Sequence, residues 1–414
     1  MNIQKISTQL IKPAQYNPRV DLKPEDAAYQ KLKRSLNEFG YVEPLVWNQQ
    51  TGNLVGGHQR FKVLMEQGLE TVDVSVVELS PEKEKALNIA LNKIEGDWDE
   101  QKLAELLDEL TKVPDFDVTS SGFDQTEVNS LFDEHLSLDL DLPTQDEPDT
   151  NAIAITQPGD LIQLGSHRLL CADSTSIDSL KTLLGDQKIK LLYTDVPYNC
   201  NYDASRRPSQ TAGDTKWKAI QNDALDQNEY ENWLKTFFEV IKPFLSAGAP
   251  AYIWNGHRQF GPMHSILTGL DFHVSNVITW VKPCVAPGYA DYQMQSEFCL
   301  YVWLKDNGSH RWFGPTNETN VWEFGRDGAT ELIHPTQKPI SLAQRAFKNS
   351  SQQGDLIVDC FAGSGSSLIA AQTLKRVCYA MEIEPTYCDS IVRRYIRTFG
   401  PDSVLPDLFQ KYNA

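Results

Sequence analysis

The chain has 414 residues and a net charge of −18, with 38 Lys and Arg against 56 Asp and Glu. This length exceeds what one hydrophobic core usually organises, so we expect two or three domains. No apolar signal core follows Met1, no apolar segment is long enough to span a membrane, and the seven cysteines lack paired spacing. These observations predict a cytoplasmic protein without a membrane partner, a disulfide framework or a metal site.

The negative charge is concentrated in the first part of the chain. Residues 1–150 hold 14 basic and 29 acidic residues, a net charge of −15, whereas the remaining 24 basic and 27 acidic residues carry only −3. Phosphate contacts need local rather than global positive charge, so the overall acidity does not exclude a nucleic-acid partner.

The first predicted unit spans residues 1–98. It contains Asn17-Pro18-Arg19, an apolar strand at 44–47, and Gly56-Gly57-His58-Gln59-Arg60 at the start of a helix. These segments resemble the N-terminal domain of the partition-protein (ParB) and sulfiredoxin superfamily, a small α+β fold. The resemblance implies a nucleotide-binding turn at Gly57, His58 and Arg60, with Arg19 as a helper, because backbone N–H groups at a helix start beside a guanidinium suit phosphate. The same turn could instead bind DNA phosphate or simply pack.

Residues 99–135 are predicted as a helical extension and residues 136–150 as an acidic linker. Asp99 can cap a helix whose leucines at 103, 106, 107 and 110 share one face, which is typical of a packing helix. The linker is acidic, interrupted by proline and poor in large side chains other than leucine. The third unit, residues 151–414, would follow this linker.

Apolar runs in the third unit predict a mixed, mostly parallel sheet with helices on both faces. We expect strands at residues 189–194, 251–254, 275–281, 297–303, 355–360 and 376–383, and a helix near 229–245. In such a doubly wound sheet, ligands bind at the carboxyl ends of adjacent strands.

The sequence Asp195-Val196-Pro197-Tyr198 follows the first of these strands. Its order resembles the Asp-Pro-Pro-Tyr motif of DNA amino-methyltransferases, with Val196 in place of the first proline. The resemblance implies that Asp195 and the carbonyl of Val196 accept the hydrogens of an exocyclic amine, and that Tyr198 stacks on a base rotated out of the duplex. Proline would fix φ and remove an N–H, so Val196 leaves open a slow, altered or inactive enzyme.

A second set of residues follows the last two predicted strands. Phe361-Ala362-Gly363-Ser364-Gly365 comes after the strand ending near Asp359, and Glu382 ends the next strand. Closely spaced glycines let the backbone approach a ligand, and an acid at the end of the second strand is where a doubly wound sheet binds ribose hydroxyls. A structural β-α-β unit with a glycine turn is the alternative.

The order of these motifs, with His334-Pro335-Thr336-Gln337-Lys338-Pro339 between them, resembles the β class of S-adenosylmethionine-dependent DNA amino-methyltransferases across residues 155–400. The resemblance implies a Rossmann-like methyltransferase sheet. It also implies a cofactor pocket made by Asp359, Phe361, Gly363, Gly365 and Glu382, with His334, Thr336 and Lys338 closing one side.

The sequence therefore predicts an S-adenosylmethionine-dependent enzyme of the restriction-modification type that acts on double-stranded DNA. Adenine N6 is preferred as the target because the motif opens with Asp rather than Ser, which is a tendency of the family. Cytosine N4, an RNA amine, and a non-catalytic DNA-binding or partition-like regulator remain alternatives. A homodimer and a nucleotide at the N-terminal domain are left open.

Overall fold

A computed structural model describes residues 2–92, 98–114, 116–136, 153–200, 221–286, 291–305, 309–324 and 338–412. The chain divides into two compact units, Met1–Ser137 and Leu138–Ala414. No helix within these described ranges is long and apolar enough to cross a membrane.

The first unit holds a five-stranded mixed sheet with the strand order β1-β5-β3-β4-β2. Its strands are β1 (Ile3–Ser7), β2 (Lys12–Pro13), β3 (Leu45–Asn48), β4 (Asn53–Gly56) and β5 (Thr71–Val77). Its helices are α1 (Ala27–Phe39), α2 (His58–Glu66), α3 (Pro81–Asn92), α4 (Glu100–Thr111) and α5 (Gln125–His135).

The predicted packing helix at residues 99–110 is confirmed as α4. The Asp99 side chain accepts a hydrogen bond from the Lys102 N–H, which satisfies one of the free donors at the helix start. The leucines of one face are all buried: Leu103, Leu106, Leu107 and Leu110. They pack with buried side chains of α3 and α5 in one apolar cluster that is separate from the core of the sheet.

The second unit is built around a nine-stranded sheet. Its strands are β6 (Leu161–Leu164), β7 (His167–Cys171), β8 (Leu191–Asp195), β9 (Pro250–Asn255), β10 (Phe272–Ala286), β11 (Met294–Leu304), β12 (Val321–Glu323), β13 (Leu356–Asp359) and β14 (Val377–Glu382). Its helices are α6 (Ile177–Leu184), α7 (Gln227–Ile241), α8 (Phe260–Gly269), α9 (Ile340–Ser350), α10 (Ser366–Thr373), α11 (Pro385–Phe399) and α12 (Pro406–Tyr412).

The strand order is β12-β10-β11-β9-β8-β13-β14-β7-β6. Strands β9, β8, β13, β14 and β7 run parallel to one another, whereas β11 pairs antiparallel with both β9 and β10. From β8 the chain proceeds to β9 on one side, and from β13 it proceeds to β14 on the other. The strand order therefore reverses between β8 and β13, which is where open α/β sheets bind ligands.

Helices cover both faces of this sheet, because its central strands are apolar on both sides. Leu191 and Ile357 face a cluster that includes α9, α10 and α11, whereas Leu192 and Val358 face a cluster that includes α6, α7 and α8. This two-sided burial is typical of parallel strands. The predicted doubly wound α/β fold with a smaller α+β domain before it is confirmed.

Candidate functional site

The Asp195-Val196-Pro197-Tyr198 segment leaves the sheet at the carboxyl end of β8. Val196 is only 1 % exposed and packs into the core on the face of α6, α7 and α8. The Pro197 carbonyl accepts a 2.7 Å hydrogen bond from the Tyr230 hydroxyl on α7. These contacts fix the turn, so Asp195 and Tyr198 are presented at the edge of the sheet.

Lys338, directly before α9, contacts this segment. Its Nζ lies 2.5 Å from Asp195 Oδ2, 2.8 Å from the Tyr198 hydroxyl and 3.2 Å from Glu297 Oε2. The Tyr198 hydroxyl also donates to Glu297 Oε2 at 3.0 Å. Glu297 lies on β11 and forms a further ion pair with Lys282 of β10. Two carboxylates and two ammonium groups thus form one network beside the tyrosine.

The network sets the protonation of its members. Burial raises the pKa of Asp195 more than Lys338 lowers it, and the Glu297 charge raises it further. Burial would raise the pKa of Glu297 as well, but Lys338 and Lys282 hold it at about 2. Burial would lower the pKa of Lys338, yet the two carboxylates raise it. Glu297 and Lys338 are therefore charged, whereas Asp195 is the member that takes up a proton most readily.

The glycine loop lies between β13 and α10. Gly363 and Gly365 both adopt positive φ, +53° and +77°, and Gly365 directly precedes the helix. A Cβ on Gly365 would come within 2.9 Å of Ile391 on α11, so this turn requires glycine for both conformation and space. The Phe361 ring packs against Trp233 and Phe237 of α7.

Two buried carboxylates flank this loop. Asp359, at the end of β13, accepts hydrogen bonds from the Phe361 N–H at 3.1 Å and the Ser367 hydroxyl at 2.6 Å. Glu382, at the end of β14, accepts from the Gly363 N–H at 2.8 Å and the Glu384 N–H at 3.0 Å. Burial raises the pKa of each to about 7 despite these bonds. Both acids therefore change charge near neutral pH.

One cleft joins the two halves of the site. It is lined by Asp195, Val196, Pro197, Tyr198, Lys338, Asp359, Phe361, Gly363 and Glu382, but not by the predicted residue Gly365. It lies at the carboxyl ends of β8 and β13, where the strand order reverses. The structure thus brings together these residues from segments more than 140 positions apart. His334 and Thr336 lie outside the described residues.

Two charged side chains of this region were missed from the sequence. From the sequence, Glu297 begins the strand predicted at 297–303, and Lys282 is a basic residue that could contact DNA phosphate. Both are ordinary strand residues in the sequence pattern. In the sequence, each is only a charged residue next to apolar strand residues. That pattern indicates a role in the site only once the structure shows that β10 and β11 pair and bring both charges beside Lys338.

The four candidate residues of the first unit also line one cleft. Arg19, Gly57, His58 and Arg60 surround it, and Gly57 precedes α2 with a φ of +89°. Burial, together with the Arg19 charge, lowers the pKa of His58 to about 4. The His58 Nε2 atom is buried and has no hydrogen-bond partner among the described residues. Arg60 is ion-paired with Glu43.

Two family models match the chain. Residues 189–393 match the N6 and N4 methyltransferase model, described as DNA methylase, and residues 1–94 match the ParB N-terminal domain. The first match contains both halves of the cleft and the second contains the candidate turn at Gly57.

Curated relatives align with somewhat more than half of the chain. The Type II methyltransferase M2.MboI of Moraxella bovis is 26 % identical over 226 residues, which cover 51 % of this chain and 81 % of that protein. The Type II methyltransferase M.HpaI of Haemophilus parainfluenzae is 28 % identical over 262 residues, which cover 57 % of this chain and 77 % of that protein.

Solved structures are similar over a comparable share of the chain. The M1.HpyAVI-SAM complex is 21 % identical with a TM-score of 0.42, covering 55 % of this chain and 97 % of that one. The cytosine-N4-specific PvuII DNA methyltransferase is 15 % identical with a TM-score of 0.46, covering 61 % of this chain and 95 % of that one. Over these ranges the chain is similar first to the ParB N-terminal domain and then to the N6 and N4 DNA methylase family.

Proposed function

We propose that the protein transfers a methyl group from S-adenosylmethionine to the N6 amine of an adenine that has been rotated out of double-stranded DNA. The observation that carries this proposal is the single cleft in which Asp195 and Tyr198 face the glycine loop and Glu382. An amine acceptor, an aromatic stacking surface and a cofactor pocket thus occur together at the strand-order reversal of a doubly wound sheet.

On the base side, Asp195 and the Val196 carbonyl accept the two hydrogens of the exocyclic amine. The lone pair of that nitrogen is delocalised into the ring, and two acceptors favour the tetrahedral geometry in which it becomes nucleophilic. Asp195 Oδ1 is buried and has no hydrogen-bond partner among the described residues, so it can accept one hydrogen. The raised pKa of Asp195 also suits it to take the proton that the amine loses on methylation.

On the cofactor side, S-adenosylmethionine would supply a methyl group attached to a positively charged sulfur. The residues present fit this molecule. The carboxylates of Asp359 and Glu382 are acceptors for the ribose hydroxyls and for the cationic methionine end. Gly363 lets the backbone approach the ligand closely and Phe361 lines the same cleft, whereas Gly365 shapes the turn against Ile391 without lining the cleft. His334, Thr336 and Lys338 would close the remaining side.

Adenine is favoured over cytosine because Asp rather than Ser opens the motif, which follows the tendency of the family. The Asp195 carboxylate itself would accept from the amine of either base. Cytosine N4 is therefore the second candidate product, and a regulator that retains the scaffold without activity is the third.

For the first unit, we propose that the cleft around Gly57 binds a nucleotide through its phosphates. The N-terminus of α2 offers backbone N–H groups, and the Arg19 and Arg60 side chains add positive charge at the same cleft. The buried His58 stays neutral near pH 7 and can donate or accept one further hydrogen bond.

The experiment is nucleoside analysis of DNA from cells that express the wild type or Asp195→Ala. Mass spectrometry should find N6-methyladenine only with the wild type. Appearance of N4-methylcytosine instead would establish the second candidate. Absence of both methylated bases, with normal cofactor binding, would favour the non-catalytic regulator.

A further inference from the structure

Lys338 is an unusual lysine in this site because its ammonium group is buried yet fully bonded. The residue is 7 % exposed, and its Nζ contacts Asp195, Tyr198 and Glu297. An ammonium group has three protons, so three acceptors match its capacity. Because the cleft opens beside these groups, Lys338 contacts the very side chains that the target base must approach.

The two oxygens of Asp195 have different environments. Oδ2 accepts from Lys338 at 2.5 Å, whereas Oδ1 is buried and has no hydrogen-bond partner among the described residues. A buried carboxylate oxygen without a donor is costly, and such groups in native proteins have an explanation. The site therefore presents a free acceptor beside a strong donor.

We infer that Asp195 and Lys338 together recognise the amidine edge of the target base, with Asp195 Oδ1 accepting from the exocyclic amine and Lys338 Nζ donating to the adjacent ring nitrogen. This inference rests on the proposed function and specifies how its substrate is selected. It makes Lys338 a residue that determines base specificity.

The chemistry of the bases supports the pairing. Adenine presents its N6 amine beside N1, and cytosine presents its N4 amine beside N3; in both, a donor lies next to an acceptor. The Watson–Crick edges of thymine and guanine instead place a carbonyl oxygen beside an N–H. The Lys338 ammonium cannot accept a hydrogen bond from the N–H of thymine or guanine, and the Asp195 carboxylate repels their carbonyl oxygen. Binding either base would leave these polar groups without hydrogen bonds, so both bases are rejected.

Glu297 and Lys282 would keep Lys338 in position when its ammonium group moves from Asp195 to the base. Glu297 holds Lys338 from β11, and Lys282 holds Glu297 from β10. Lys338 can therefore exchange its bond to Asp195 for one to the ring nitrogen while it remains bonded to Glu297. Lys282 forms an ion pair with Glu297 and lies against the Trp280 ring. Among the described residues it does not contact Asp195, so it serves as a matched control lysine.

The test compares two duplexes that contain the methylated sequence, mapped first in DNA from cells that express the protein. One duplex carries adenine at the target and the other carries 1-deazaadenine, in which C–H replaces the ring N1. Single-turnover methylation by the wild type should be about 10- to 100-fold slower on the analogue, the loss expected for a hydrogen bond to a charged donor. The analogue also pairs less well with thymine and rotates out of the duplex more easily. This weaker pairing would by itself increase the methylation rate, so it cannot explain a slower reaction.

Lys338→Met should be slow on adenine and show no further loss on 1-deazaadenine, whereas Lys282→Met should keep the wild-type ratio between the two duplexes. Equal wild-type rates on both duplexes would overturn the inference and leave the proposed function intact. If Lys338→Met methylated 1-deazaadenine more slowly than adenine by the same factor as the wild type, the inference would also be overturned. No wild-type methylation of the adenine duplex would overturn the proposed function, and this inference with it.

Discussion

Lys338 Nζ lies 2.5 Å from Asp195 Oδ2, although the two residues are 143 positions apart in the chain. The contact joins the carboxyl end of β8 to the start of α9, two elements that pack on each other across the face of the sheet. Lys338 is buried and the Asp195 side chain is only partly exposed, so the charge of each group depends on the other. The proposed amine acceptor is therefore controlled by a residue that the motif around it does not contain.

The first prediction concerns the acceptor itself. Asp195→Asn should lower the methylation rate by about 100-fold or more, because an amide is a weaker acceptor and cannot take the proton of the amine. Cofactor affinity should change little, since the residues proposed to contact the cofactor follow β13 and β14 rather than β8. Labelled-methyl incorporation and calorimetry measure the two effects. Asp186→Asn, an exposed carboxylate of the same unit, is the control and should match the wild type. Incorporation within a few-fold of the wild type would remove Asp195 from this role.

The second prediction concerns the pH dependence of cofactor binding. Asp359 and Glu382 have pKa values of about 7, so they are largely protonated at pH 6 and largely ionised at pH 8. A cationic ligand and ribose hydroxyls bind the ionised forms more strongly. S-adenosylmethionine affinity should therefore rise with pH, by up to about tenfold per unit for each acid below its pKa. Calorimetry in buffers of different ionisation enthalpy should also show proton release.

The same acids should affect stability with the opposite sign when no cofactor is bound. Glu382 has a pKa of about 7 in the folded protein and near 4 in the unfolded chain. The folded protein therefore holds this proton more tightly, which stabilises the fold at low pH. This stabilisation is lost as the pH rises from about 4 through about 7. Glu382→Gln does not titrate, so its Tm should rise relative to the wild type between pH 6 and pH 8. It should also bind S-adenosylmethionine more weakly at pH 8. A cofactor affinity that is independent of pH in the wild type would contradict the binding expectation, and a Tm difference that does not change between pH 6 and pH 8 would contradict the stability expectation.

The third prediction concerns the departure from the family motif. Val196→Pro should be tolerated and should retain or raise methylation, because the group proposed to act is the carbonyl, which both residues have. Asp195 ends strand β8 and is therefore extended, which is the conformation that a residue before proline adopts. Methylation and thermal unfolding should be measured together. A folded proline variant without activity would show that valine is an adapted feature of this site.

The sheet could be predicted from the sequence because its central strands are short apolar runs ending in polar residues. β8, β13 and β14 are of this type, and their ends carry Asp195, Asp359 and Glu382. The hairpin of β6 and β7 was not predicted. Its first strand alternates exposed and buried residues over only four positions, which is too short to separate from a loop by pattern. The length of β10, Phe272–Ala286, was also underestimated.

The cleft residues proposed to hold the cofactor could be located from the sequence because they are contiguous with two strand ends. The network around Lys338 could not, because it depends on which strands become neighbours. Glu297 lies on β11, which pairs with β9 rather than with β8, and its partner Lys282 lies on β10. Sequence periodicity predicts strands but not their order, so a charge inside a strand cannot be assigned to a site.

The fourth prediction separates two reasons for glycine in the cofactor loop. Gly365 and Gly354 have nearly the same backbone conformation, with φ of +77° and +78°, but only Gly365 has a neighbour within 4 Å of an added Cβ, namely Ile391 at 2.9 Å. Gly354→Ala should cost about 1 kcal/mol from conformation alone. Gly365→Ala should cost more and should also weaken cofactor binding, since α11 or the loop must move. Chemical denaturation measures the difference. Equal losses would mean that the loop absorbs the added methyl group.

The fifth prediction concerns the first unit. Arg60→Ala should weaken nucleotide binding by about tenfold or more, because the guanidinium lies at the cleft beside the N-terminus of α2 and a charged hydrogen bond to phosphate is lost. Lys62→Ala is the matched control: it removes a positive charge from the same helix, but Lys62 pairs with Asp21 and does not line the cleft. Equilibrium dialysis with nucleoside triphosphates should distinguish the two variants.

Arg60→Ala should leave the methylation rate on a short duplex unchanged, since the residues proposed for methyl transfer all lie in the second unit. The net charge of −15 in residues 1–150 supports this separation, because an acidic surface of that size does not attract DNA non-specifically. Nucleotide binding that resists Arg60→Ala and falls with Lys62→Ala would place the phosphate site elsewhere on α2. A methylation rate that falls in parallel with nucleotide affinity would show instead that the first unit controls the second, and the separation of roles would have to be given up.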